Sequence, residues 1–256
     1  MSYTDLWDTL SANYDRFVNW EQRLAREMPF LESHLASQGA RRVLDVACGT
    51  GHHAIALAQR GYQVAGTDIS AGMVGRARQN AESAGVTATF HQAGFGHLRE
   101  AVKEPFDALL CLGNSLPSVL SEAALGAALA DMAGLLAPGG LIVIQNLNYD
   151  RVWPRRERFM PLQTYQQGEE EWLFFRFADF HQETLTFNMV VLHRNGEMWN
   201  YDAEATELRP IFSEDLKRLL DKSGFADVDF YGDYDQNPYQ KDTSGDLLVV
   251  ARKKQP

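Results

Sequence analysis

Residues 41–68 read RRVLDVACGTGHHAIALAQRGYQVAGTD, and the fold is decided there. Val43, Leu44, Val46 and Ala47 make a short, nearly all-apolar run, the pattern of a strand covered on both faces. Cys48-Gly49-Thr50-Gly51 breaks that run. Two glycines so close permit a tight turn and let bare backbone approach a ligand. His52 to Arg60 reads as a helix with Ile55 and Ala58 on its inner face and Gly61 as its stop. Gln63 to Thr67 reads as a second strand ending at Asp68. That acid follows the turn at roughly the spacing of 20 residues at which a carboxylate meets a ribose hydroxyl in nucleotide-binding βαβ units. The bland alternative is a structural turn with Asp68 as a helix cap.

The turn does not suit every nucleotide. Dinucleotide folds prefer Gly-x-Gly-x-x-Gly, with a helix N-terminus on the pyrophosphate. Here the third place is Ala54, and Asp45 sits inside the first strand near its end. A buried carboxylate beside the turn repels a diphosphate and suits a cationic or zwitterionic ligand.

Asp45-Val46-Ala47-Cys48-Gly49-Thr50-Gly51 resembles the Asp/Glu-x-Gly-x-Gly-x-Gly signature of class I S-adenosylmethionine-dependent methyltransferases, with Ala47 in place of the first Gly. RVLDVACGTG, CLGNS (Cys111 to Ser115), APGGLIVI (Ala137 to Ile144) and NYD (Asn148 to Asp150) together are similar to the glycine/sarcosine N-methyltransferase group. The resemblance implies an α/β fold: a doubly wound, mostly parallel, Rossmann-like sheet of seven strands whose last strand is antiparallel. It implies S-adenosyl-L-methionine as cofactor.

The whole chain is 256 residues, 45% hydrophobic, with net charge −10. That length buries a full core in one domain with an insertion. The negative charge disfavours nucleic acid or an anionic membrane as partner. The start, MSYTDLWDTL, has neither a basic opening nor an apolar run, and no apolar stretch is long enough to span a bilayer, so a cytoplasmic protein is expected. Two cysteines, one in the glycine turn and one in an apolar strand, read as buried thiols in a reducing compartment. No metal-ligand spacing is found. His52 and His53 are adjacent and cannot both face one ion on a helix; surface or helix-start histidines are expected.

Along the chain, residues 1–40 precede the sheet. Trp20, Leu24, Leu31 and Leu35 recur at helical spacing, with Pro29 as a kink or break. The resemblance makes 1–40 an N-terminal helical lid bearing Tyr14, Trp20 and Arg23, with Arg23 on the cofactor carboxylate, a role that suits the guanidinium fork. Ser70 caps a helix through Ala84, with Met73, Val74, Ala77 and Ala81 inward. Ile69 and Met73 would flank the adenosine. Val86 to Gln92 is a third strand. Gly94 stands where class I enzymes usually carry an acid or amide for the adenine amino group, and Phe95 beside it offers a ring to stack on the base.

Phe106 to Leu112 is a fourth strand. It places Leu112 beside the cofactor and Asn114 and Ser115 at a carboxyl end, where ligands of open α/β sheets bind. Asn114 and Tyr14 are the expected catalytic, acceptor-orienting groups. A helix from Ser121 to Leu136, a turn at 137–140 and a strand over Leu141 to Ile144 follow. Residues 151–209 read as an inserted antiparallel cap with an Asn195-Gly196 hairpin. Arg155 to Arg158 form a solvated face, and Arg176 points into a substrate pocket or pairs on the sheet surface. The main domain, 41–150 and 210–256, closes with a helix from Ser213 and strands over Phe225 to Tyr231 and Asp246 to Ala251.

The expected chemistry is methyl transfer to a small-molecule acceptor, an amine before an oxygen. An oxidoreductase of the NAD type and a protein that binds S-adenosylmethionine without turnover stay open. In the glycine-specific relatives an Arg two residues before the Tyr of the NYD block grips the substrate carboxylate; here that place is Leu147, which puts glycine in doubt. Aromatic residues around the cap leave a homo-oligomer open.

Overall fold

The computed structural model describes residues 3–103 and 105–255. Three helices lead: α1 (Tyr3–Leu10), α2 (Tyr14–Phe17) and α3 (Trp20–Gln38). Strands and helices then alternate: β1 (Arg42–Val46), α4 (His52–Gln59), β2 (Gln63–Asp68), α5 (Ala71–Ser83), β3 (Thr89–Gln92), α6 (Leu98–Ala101), β4 (Phe106–Cys111), α7 (Glu122–Leu135) and β5 (Leu136–Leu147). After α8 (Tyr149–Arg155) come β6 (Gln163–Gln167), β7 (Glu170–Phe180), β8 (Leu185–Asn195) and β9 (Met198–Leu208). The chain ends with α9 (Ser213–Lys222), β10 (Phe225–Tyr231) and β11 (Asp246–Lys253).

Seven strands form one sheet in the order β10-β11-β5-β4-β1-β2-β3. β11 runs antiparallel between β5 and β10, and the other pairings are parallel. The chain leaves β1 toward β3 and then crosses back to β4, so the strand order reverses between β1 and β4. A crevice opens outside the carboxyl ends of strands at such a reversal. Alternation sends Leu44 and Val46 to a core with α7 and α9, and Val43 to a core with α3, α4 and α5. Asp45 shares its face with Val43, so its carboxylate lies on the α3 and α4 side.

The second sheet is antiparallel, β6-β7-β8-β9. Asn195 pairs with Met198, which leaves Gly196 and Glu197 as the two-residue turn, with Gly196 at φ 62°. Glycine tolerates that left-handed backbone without strain.

Some boundaries differ from the sequence reading. Pro29 does not break α3, which runs through it; Met28, Phe30, Leu31 and Leu35 are buried on both sides of it, and this packing outweighs one missing backbone bond. Residues 137–140 belong to β5 rather than to a turn, because β5 starts directly after α7. β3 begins only at Thr89. No helix among the described residues is long and apolar enough to cross a membrane.

Candidate active site

A cavity with empty volume ≈ 1110 Å³, mouth included, opens at the carboxyl ends of β1, β2 and β4. Ligands of open α/β sheets bind in such a crevice. The floor is Asp45, Ala47, Cys48 and Gly49; Asp68, Ile69, Met73, Gly94 and Phe95 form one wall, and Leu112 and Ser115 another. Trp7, Tyr14, Trp20 and Arg23 cover it from the N-terminal helices. Eleven of the twelve expected cofactor residues thus meet in one place, and Ile69 keeps 38% of its surface exposed. An aliphatic wall left bare suits the face of a base.

Gly51 is the exception. A Cβ there would stand 2.9 Å from Ala77 and 3.0 Å from Phe90, so its bare backbone seats the start of α4 against α5 and β3 instead of touching the cavity. Gly49 and Ala47 both have φ 55°. For an L-residue with a Cβ this left-handed backbone costs roughly 1–2 kcal/mol. Ala47→Gly is therefore expected to raise stability, by about 1 kcal/mol after the extra entropy of glycine in the unfolded chain is subtracted. Calorimetric unfolding tests this; a fall in Tm would contradict it.

The cavity holds two buried carboxylates. Asp45 is 2% exposed, and its Oδ2 has no hydrogen-bond partner. Burial pushes its carboxyl up to about 7; Asp68 nearby adds to the rise, while Arg23 and the Ala54 backbone oppose it. Asp68 accepts from the Gly49 amide through Oδ2 and from the Ser70 amide through Oδ1, both at 2.9 Å. Burial raises its pKa too, against those bonds. Each carboxylate oxygen can accept a second bond, so Asp68 retains acceptor capacity for a hydroxyl pair. Cys48, 7% exposed, has its thiol pushed well up by burial and by both acids.

The helical cover is tied down through acids the sequence reading passed over. Asp15 Oδ1 accepts from Thr50 Oγ1 at 2.6 Å and Trp20 Nε1 at 3.2 Å, and lies 3.0 Å from His52 Nε2. Its Oδ2 accepts from Arg76 Nε at 3.0 Å and Asn80 Nδ2 at 3.1 Å. Asp8 meets the Ser70 hydroxyl and, at 3.0 Å, the Gly72 amide. His52 and His53 open α4, as helix-start histidines, but neither is a free surface group. The His52 ring stacks on Trp20 with centroids 4.3 Å apart, and His53 is 5% exposed with its Nε2 2.7 Å from Glu27. Glu27 is buried on the inner face of α3 beside Met28 and Leu31, and because Met28 already continues the apolar stripe no gap in the sequence marked it.

Of the acceptor residues, Tyr14 and Ser115 line the cavity, whereas Asn114 and Arg176 do not. Asn114 has φ 61°. Its Nδ2 donates to Tyr149 Oη at 3.1 Å and its Oδ1 accepts from the Leu147 amide at 3.0 Å. The carboxamide thus braces the end of β4 against β5 and α8. The NYD block is a brace too: Asn148 binds the Lys241 and Ser244 carbonyls, and Asp150 takes the Ser213 amide and the Tyr239 hydroxyl. Arg176 lies over the Phe17 ring at 4.8 Å, its Nε buried without a hydrogen-bond partner. Burial lowers its pKa, against the pull of Tyr14.

The donor set fits S-adenosylmethionine: an unpartnered acid for a positive group, a second acid for a ribose, and Arg23 for a carboxylate. Comparison with known proteins agrees. Residues 43–140 match the family described as a methyltransferase domain. The chain is 30% identical over 246 residues to a glycine/sarcosine N-methyltransferase of Aphanothece halophytica, covering 94% of this chain and 86% of that protein. An S-adenosylmethionine-dependent methyltransferase from Clostridium acetobutylicum ATCC 824 shares the fold with a TM-score of 0.77 over 98% of both chains at 17% identity. An S-adenosylmethionine-bound amino pentose methyltransferase from Micromonospora echinaspora does so at 0.72 over 95% of both, at 19% identity. With sequence similarity running along nearly the whole chain, the protein belongs to the class I S-adenosylmethionine-dependent methyltransferases, near the glycine/sarcosine N-methyltransferase group.

Proposed function

We propose that this enzyme methylates the nitrogen of a small polar amine. The observation that carries the amine is the similarity to a glycine/sarcosine N-methyltransferase over 94% of the chain. S-adenosylmethionine, when bound, supplies a methyl on a positively charged sulfur, so the protein needs no covalent nucleophile. Its residues bind, orient and exclude water. Arg23 holds the cofactor carboxylate, Asp45 its ammonium and Asp68 its ribose. Ile69, Met73 and Phe95 would enclose the adenine, and at Gly94 only backbone would be offered to its amino group. Trp20 and Leu112 would close the sides, beside the backbone of Ala47 and Gly49.

Tyr14, held protonated by burial against the pull of Arg23, orients the acceptor with its hydroxyl. Ser115 meets the acceptor at the end of β4, and Asn114 acts on it through the backbone it fixes. Arg176 is assigned to the polar end of the acceptor on the cap side. Residues 1–40 serve as the lid and 151–209 as the substrate cap.

Leu147 packs with Tyr149 and Ala178, and a leucine offers no charge to a carboxylate. One hydrogen bond to a charged group is worth about 1.5–3 kcal/mol, so glycine is expected to turn over at least about tenfold more slowly than the preferred amine. A labelled-methyl assay across amino acids, small amines and hydroxylated metabolites tests both statements. Glycine as the best acceptor would overturn the reading of Leu147, and turnover of hydroxyl compounds alone would overturn the nitrogen.

A further inference from the structure

We infer that Glu27 is a positioning residue of the cofactor pocket: by fixing the Nε of Arg23 it aims the two terminal nitrogens of that guanidinium into the cavity. The inference rests on the assignment of Arg23 to the cofactor carboxylate.

Glu27 sits in the middle of α3, 2% exposed, one turn after Arg23. Its Oε1 accepts from Arg23 Nε at 3.0 Å and from Arg26 Nη2 at 3.4 Å. Its Oε2 lies 2.7 Å from His53 Nε2. Burial disfavours the His53 imidazolium, so the neutral ring donates its Nε2 proton to Glu27. Both carboxylate oxygens are therefore used, and Glu27 stays ionised in spite of its burial, its pKa lowered to about 2. His53 anchors the acid to α4, which starts at the glycine turn. Arg23 is thereby referenced to the same turn that forms the cavity floor.

With Nε taken, the terminal nitrogens of Arg23 face the cavity, where the Tyr14 hydroxyl also reaches the guanidinium. One of them, Nη2, lies 3.5 Å from where a Cβ on Gly113 would stand, at the carboxyl end of β4 on the cavity wall. The Trp20 ring packs against the guanidinium at 5.2 Å and limits its swing on the other side. A guanidinium pinned at Nε and flanked by a ring presents its fork in one orientation, the arrangement that bidentate carboxylate binding needs. Glu27 does not reach the ligand itself. Its effect on a ligand carboxylate is confined to Arg23, because its other partner, His53, which also lines the cavity, is a neutral ring.

That confinement gives the test. Calorimetric titration compares S-adenosylmethionine with decarboxylated S-adenosylmethionine, which keeps the nucleoside, the sulfonium and the ammonium. The unmodified protein is expected to prefer the carboxylated ligand, and Arg23→Met to lose that preference. Glu27→Gln and Glu27→Asp are each expected to reduce it by about tenfold, the size of one hydrogen bond to a charged group, while affinity for the decarboxylated ligand changes less than about twofold. Glu27→Asp keeps the charge but is one methylene too short to hold Arg23 and His53 together, so it carries the test if Glu27→Gln fails to fold. Equal weakening of both ligands would make Glu27 a fold brace and overturn the inference, as would no change in either. If Arg23→Met keeps the preference, the assignment of Arg23 itself is wrong.

Discussion

Asp45→Asn weakens S-adenosylmethionine binding by at least about 100-fold and stabilises the ligand-free protein above neutral pH; leaving one member of a buried charge pair alone costs roughly 3–5 kcal/mol. The two effects share one cause. In the free protein burial lifts the Asp45 carboxyl from 3.8 to about 7. The folded state therefore holds that proton more tightly than the unfolded chain. Its contribution to stability is fully present below the unfolded pKa and is lost as pH rises through about 7. An amide has nothing to lose there, so the variant gains on the parent at high pH and not at low pH. A positively charged ligand runs the other way, because it binds the carboxylate. Affinity for S-adenosylmethionine should climb as pH rises toward about 7, by at most about tenfold per unit, and then level. Titration calorimetry and thermal unfolding across a pH series measure both. A flat affinity profile in the parent, or the same slope in the variant, would remove Asp45 from the ligand.

Asp15→Ala is expected to cost about 2–4 kcal/mol and to loosen the helices over the cavity, since hydrogen bonds to a charged group are lost together and their donors are left unmatched. Asp15 joins Trp20 of the cover to Thr50, His52, Arg76 and Asn80 of the sheet domain. Its own carboxyl is held well below the ordinary range by those donors, His52 first, although burial opposes them. The stability it provides is present above the unfolded pKa and fades as pH falls toward the folded one. Hydrogen exchange is the discriminating measurement. Amides of α1 and α2 should exchange faster in the variant while those of α7 keep their protection, and the Kd for S-adenosylmethionine should rise. Uniform loss of protection would mean that Asp15 supports the whole fold rather than its cover.

The βαβ core was legible because its strands are unbroken apolar runs and its turn is marked by glycine. The acids at its ends could be placed in one cavity because a reversal of strand order brings carboxyl ends together. The cover was harder to read. α1 and α2 are short, and their roles depend on Asp8 and Asp15, whose partners lie tens of residues away. β6, QTYQQ, is polar and takes its place only by pairing with β7. α8 begins at an Asn cap inside a block that looked like a site signature. Asn114 was placed at the correct strand end, yet its left-handed backbone turns the side chain toward β5. Gly51 belongs to the turn motif, but the space around it is filled by Ala77 and Phe90.

Cys48 stands in the floor of the cavity, where a nucleophilic thiol would face an alkylating cofactor at every turnover. Burial first, and the neighbouring carboxyl groups of Asp45 and Asp68 after it, keep that sulfur protonated, and a protonated thiol is a poor nucleophile. If Asp45 and Asp68 hold the methyl donor as proposed, the same two acids are expected to spare the enzyme from methylating itself.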